Sequence, residues 1–109
     1  MVDALPLSRR RDERIEASLA LRFRIGNGPE EPGETIDCTW EGVAVRCGAP
    51  PPPGCEITMT VGGLAPLRAT VVRAWRDGFA ARLMEPSPAL LVLAEAEAAA
   101  TAARGRGRS

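Results

Sequence analysis

Two short stretches hold the residues whose types and spacing can do chemistry: RRDER, Arg10 to Arg14, and DCTWEG, Asp37 to Gly42. The first sets guanidinium groups at positions i and i+4, with Arg11 between them and Arg9 directly before. Guanidinium forks match phosphate oxygens and the O6/N7 edge of guanine. The second stretch carries a carboxylate, a hydroxyl two residues on and a glycine five residues on. A carboxylate accepts hydrogen bonds from N1–H and the exocyclic amine on guanine's other edge. Together the two stretches suit an anionic guanine nucleotide.

Each of these residues also has a plainer use. An arginine run can be a solvated basic arm. Asp37 can hold an Asx turn, and Thr39 can cap a backbone N–H. Gly42 supplies either a positive φ or a close backbone approach. Trp40 either shields the turn or stacks on a purine. Trp75, at a strand end, reads as the edge of a core.

Something must position these groups, and the hydrophobic pattern describes it. Ile15, Ala17, Leu19, Leu21, Phe23 and Ile25 alternate with Glu16, Ser18, Arg22 and Arg24, which predicts one half-buried strand. Gly26-Asn27-Gly28-Pro29 ends it, and an acidic loop through Gly33 leads to a short strand near Glu34 to Cys38, with Ile36 and Cys38 inward. After Gly42, Val43, Val45 and Cys47 face the core. Pro50 to Pro53 form a stiff connector.

Cys55, Ile57, Met59 and Val61 mark the next strand, and Gly62-Gly63 a turn. Leu67, Ala69 and Val71 continue inward, whereas Val72 and Ala74 predict a bulge that changes parity. Asp77-Gly78 signals a hairpin into Phe79, Ala81 and Leu83. Ser87-Pro88 reads as an N-cap and first helical residue, opening a helix to about Ala103 that plugs or leans on the barrel. The expected fold is all-β, a six-stranded antiparallel β-barrel with a C-terminal α-helix. Its parts are a flexible segment 1–8, an arm 9–14, a barrel 15–84, a helix 88–103 and a fraying tail 104–109.

Composition narrows the function. The chain has 109 residues, enough for one core, and a formal net charge of +0. That balance, with two tryptophans, two phenylalanines and no tyrosine, argues against a nucleic-acid polymer as partner. No apolar run approaches the ~20 residues of a membrane span. The start, MVDALPLSRRR, lacks the order of a signal peptide, so a cytoplasmic location is expected. Histidine is absent, and Cys38, Cys47 and Cys55 have no CxxC spacing. That composition opposes a zinc site and any histidine-based catalysis. The cysteines read as small buried hydrophobes in a reducing compartment.

With both motifs in this order and flanked by strands, the chain resembles the PilZ domain, a bacterial receptor module for cyclic di-GMP. That family carries RxxxR in an N-terminal arm and [DN]xSxxG two or three dozen residues later. Here Arg10 and Arg14 fall on the first motif, with Arg9 and Arg11 as auxiliaries, and Asp37, Thr39 and Gly42 on the second. Thr39 stands where the family usually has serine. The resemblance covers about Ser8 to Met84. It implies a non-enzymatic receptor, without cofactor or metal, whose arm orders on cyclic di-GMP and signals to a downstream protein partner. The alternative it leaves is a barrel that acts as a protein-interaction adaptor with weak or no nucleotide binding.

Overall fold

The computed structural model of the chain describes residues 13–106. Arg9, Arg10 and Arg11, like the segment 1–8, lie outside the described residues. Seven strands and one helix follow in order: β1 (Ile15–Glu16), β2 (Ala20–Ile25), β3 (Glu31–Cys38), β4 (Gly42–Arg46), β5 (Glu56–Val61), β6 (Leu67–Trp75), β7 (Gly78–Leu83) and α1 (Pro88–Arg106). Every pairing is antiparallel. The strand order β3-β2-β5-β6-β7-β4 returns to β3, closing a six-stranded barrel, with β1 added on β3. Closure leaves every barrel strand with two neighbours and removes the free edges that an open sheet would expose.

The interior is built by period-two alternation. Phe23, Val43, Val45, Ile57, Met59, Val61, Ala69, Val71, Phe79 and Ala81 are all buried, and Phe23 meets Phe79 edge-to-face with centroids 5.1 Å apart. The expected bulge in β6 is present: pairing with β7 shifts between Val71 and Arg73, and Val72 is exposed. The hairpin follows, with Trp75 opposite Gly78.

Local departures have physical causes. The run from Ile15 to Ile25 is two strands, because the chain bulges at residues 17–19 beside buried Thr35. The Thr35 hydroxyl donates to the carbonyl of Ala17 and accepts the Leu19 N–H at 2.9 Å, satisfying the backbone groups that the bulge takes out of the ladder. Ile25, expected inward, is exposed at the strand end. β3 starts at Glu31, so the acidic loop is shorter than its composition suggests; Pro32 and Gly33 sit within the strand opposite Arg22 and Leu21.

The Thr35 hydroxyl makes a sharp prediction. Thr35→Val keeps the shape but leaves a buried N–H and C=O without a partner, so it should lower stability by about 1–3 kcal/mol. Urea unfolding monitored by tryptophan fluorescence measures this, and a change within experimental error would contradict the role given to the hydroxyl.

At the helix start, Ser87 Oγ accepts the Leu90 N–H at 3.2 Å, with Pro88 in the first position as expected. Leu90, Leu91 and Ala94 are buried, and the helix packs on β1 and β3. It therefore braces β1, which begins directly after Arg14, and β3, which carries Asp37. The helix continues past Ala103 to Arg106, where a frayed tail was expected. Arg104 reaches Glu97 at 3.4 Å and Thr101 at 3.1 Å.

Candidate functional site

Cross-strand register brings together residues that are far apart in sequence. Asp37 on β3 lies opposite Ala44 on β4, Ala44 opposite Ala80 on β7, and Ala80 opposite Arg73 on β6. This row crosses the outer face of four adjacent strands, about 14 Å at the usual strand spacing. Two alanines form its floor. A carboxylate stands at one end and a guanidinium at the other. The result is an open groove of about 450 Å3 whose lining includes Arg14, Asp37, Thr39, Gly42, Arg73 and Trp75.

A bulge turns β3 toward this groove. Its pairing with β4 shifts between Thr35 and Asp37, so Thr35 and Cys38 both point inward while Ile36 and Asp37 line the groove. Ile36 was expected inward with Cys38; the extra residue at the bulge breaks that parity. Asp37 also opposes Glu16 across the β1–β3 pair, a like-charge juxtaposition that costs stability. The Arg14 guanidinium offsets it, with Nη1 3.6 Å from Asp37 Oδ2. Arg14 is two-thirds exposed and Asp37 mostly covered, so the contact is a weak, solvent-screened ion pair that nevertheless brings the two motifs together.

Thr39 and Gly42 close the turn between β3 and β4. The Thr39 N–H donates to the Gly42 carbonyl at 2.9 Å, and Thr39 Oγ1 accepts the Gly42 N–H at 3.1 Å. The hydroxyl thus has the capping role, at the edge of the groove. Of the two uses open to Gly42, close approach is the one that applies: its φ is not positive, and a Cβ there would lie 2.8 Å from the Ala81 carbonyl oxygen.

The two tryptophans lie on different sides of the sheet. Trp40 packs against the core and is not among the residues lining the groove. Trp75, expected at a core edge, lies on the outer face over Gly78, where a Cβ would sit 2.8 Å from the indole Nε1. The Arg73 guanidinium rests 5.4 Å from its ring centroid, within cation–π range. The signal for this placement is in the sequence. A bulge at Val72 sends Ala74 inward, and the next residues of the same strand, Arg73 and Trp75, must then face out.

Cys38 lies directly under Asp37's strand position, fully buried. Burial, and secondarily the Asp37 charge, push its thiol up to about 12 from 9.0, and burial likewise raises Cys47. The chain contains neither tyrosine nor lysine, so no phenol or ammonium side chain obscures this range. The folded state holds its thiol protons where the unfolded chain has lost them. Stability is therefore fully present below the unfolded pKa and falls as pH rises from 9.0 toward about 12. Cys38→Ala should flatten that fall in pH-dependent urea unfolding; an unchanged slope would remove Cys38 as its cause.

Compared with known proteins, the chain matches no protein-family model and no curated protein sequence. Among the described residues, no helix is long and apolar enough to cross a membrane.

Proposed function

We propose that the chain is a PilZ-type, non-enzymatic cytoplasmic receptor for cyclic di-GMP, with the β3–β4–β7–β6 groove as its binding surface. The observation that carries this reading is convergence. Arg14 and Asp37, which belong to separate motifs, meet at 3.6 Å, and both line one groove with Thr39 and Gly42. In this arrangement Asp37 accepts the guanine N1–H and exocyclic amine while Arg14 turns to a phosphate or to the base's O6/N7 edge. The Arg73 guanidinium resting on the Trp75 ring offers a planar cationic surface against which a second purine can lie. The alanine floor leaves room for flat bases to lie along the strands.

Arg9, Arg10 and Arg11 precede this site in sequence and supply the remaining cations of the proposed arm. Ordering of that arm on the ligand would be the signal passed to a downstream protein partner. Hydrogen exchange on residues 8–16, with and without ligand, reports it.

Calorimetry against cyclic di-GMP, cyclic di-AMP, GTP and single-stranded RNA tests the assignment. Binding of the guanine dinucleotide at micromolar or lower concentration, reduced roughly tenfold or more by Arg14→Ala, is the expected result. No heat with cyclic di-GMP would overturn it and leave the barrel as a protein-interaction adaptor; preferential binding of RNA would place it among small nucleic-acid-binding barrels.

A further inference from the structure

Among the described residues, three of the seven arginines from Arg22 to Arg82 are paired with carboxylates. Arg22 pairs with Glu30 at 3.2 Å, Arg46 with Glu34 at 3.4 Å and Arg68 with Glu56 at 3.6 Å. Arg73 and Arg82, like Arg24 and Arg76, form no ion pair with a carboxylate of the described residues; what sets the first two apart is their place at the groove. Arg73 lines the groove at the end away from Asp37, and Arg82 borders it beside Gly42. Arg73 faces Ala80 across β6 and β7, and Arg82 follows Ala80 by two residues on the same outer face, opposite Gly42 on one side and Thr70 on the other.

Diagonal neighbours in a regular ladder lie roughly 7–8 Å apart; the bulge between Val71 and Arg73 adds a residue to that path, a gap that two long guanidinium side chains still span. Glu41, on the neighbouring turn, offers its backbone carbonyl to the Leu83 N–H at 2.8 Å and makes no ion pair with Arg82. Exposed Val72, at the bulge, and Ala80 are the outward residues nearest the two arginines, so no charged side chain stands between them.

We propose that Arg73 and Arg82 form a second anion subsite, borne on the barrel itself, that takes a phosphate or pyrophosphate-type group independently of the N-terminal arginines. Unpaired guanidiniums are ready donors of bidentate hydrogen bonds to phosphate oxygens. Seated on paired strands, they are held in place more firmly than an arm can be. The Trp75 ring beside Arg73 holds that side chain toward the groove. This subsite deepens the receptor reading: a groove with cations on both walls favours a ligand carrying two separated phosphodiester charges over one carrying a single phosphate. Its cationic character does not depend on that ligand being cyclic di-GMP.

The test uses the full chain and two probes. Inorganic pyrophosphate at low ionic strength should shift the arginine Nε–Hε NMR signals of Arg73 and Arg82 saturably and leave exposed Arg24, on the far side of the barrel sheet order, unmoved. Titration of cyclic di-GMP into Arg73→Ala, Arg82→Ala and the double variant should show at least roughly tenfold weaker binding for the double, with a shallower dependence of affinity on salt. Arg24→Ala should bind as the parent does.

Shifts that never saturate, or that are equal at Arg24, overturn the subsite, as does unchanged cyclic di-GMP affinity in the double variant when the parent binds it. If the parent ignores cyclic di-GMP but pyrophosphate still saturates Arg73 and Arg82, the receptor reading fails and the subsite stands.

Discussion

Asp37→Ala should erase the preference for cyclic di-GMP over cyclic di-AMP, lowering affinity for the guanine ligand on the order of a hundredfold while leaving the adenine ligand nearly unchanged. Adenine offers neither N1–H nor the 2-amino group, so a carboxylate that reads those donors rejects it. Two charge-assisted hydrogen bonds at about 1.5–3 kcal/mol each set the size of the effect. The substitution also frees Arg14 and removes the like-charge opposition to Glu16. Apo stability should therefore change little or rise slightly, which separates a binding role from a structural one. Competition calorimetry with both dinucleotides decides the matter. Parallel losses for guanine and adenine would mean that Asp37 acts only by placing Arg14. Asp37→Asn is the finer probe, since it keeps an acceptor but loses the charge.

Gly78→Ala should damage the barrel and the groove together. A Cβ at Gly78 would lie 2.4 Å from the Val45 carbonyl oxygen and 2.9 Å from Trp75 Cε2. The first contact is with paired backbone that cannot retreat without breaking the β4–β7 ladder; the second displaces the indole. Overpacking of this kind costs about 1–3 kcal/mol or more, roughly 4–8 °C in Tm for each kcal/mol in a domain of this size. Gly63→Ala, where a Cβ meets nothing within 4 Å, is the matched control. Equal melting temperatures for the two variants would contradict the close packing at Gly78. If the receptor reading holds, the surviving folded fraction of Gly78→Ala should also bind ligand more weakly, because Trp75 no longer lies flat.

Much of this molecule was legible before its fold was known. Period-two alternation placed Leu21, Phe23, Val43, Val45, Ile57, Met59, Val61, Ala69, Val71, Phe79, Ala81 and Leu83 inward, and all are buried. The parity change at Val72 announced the β6 bulge, and Ser87-Pro88 the start of α1. These signals are local: a strand half buried in a barrel must alternate, and a helix start needs a cap for its free N–H groups. The same locality explains what the pattern missed. Residues 15–25 alternate without a break, so nothing in them reveals the bulge at 17–19, which exists because the Thr35 hydroxyl reaches across from another strand.

The candidate site divides in the same way. Residue types and spacing singled out Arg14, Asp37, Thr39 and Gly42, because charge, hydroxyl and the absence of a side chain are properties of single residues. That Arg14 touches Asp37 was decided by β1 pairing with β3, and that Arg73 and Trp75 face them was decided by barrel closure, which sets β4 and β7 between. The outward placement of Trp75, expected at a core edge, follows from the same cause. An indole near a turn can pack inward or lie outward, and only the neighbouring strand, with Gly78 leaving a flat seat beneath Trp75, determines which. Sequence specified the donors and acceptors; strand register, a long-range property of the closed sheet, specified which of them share a surface.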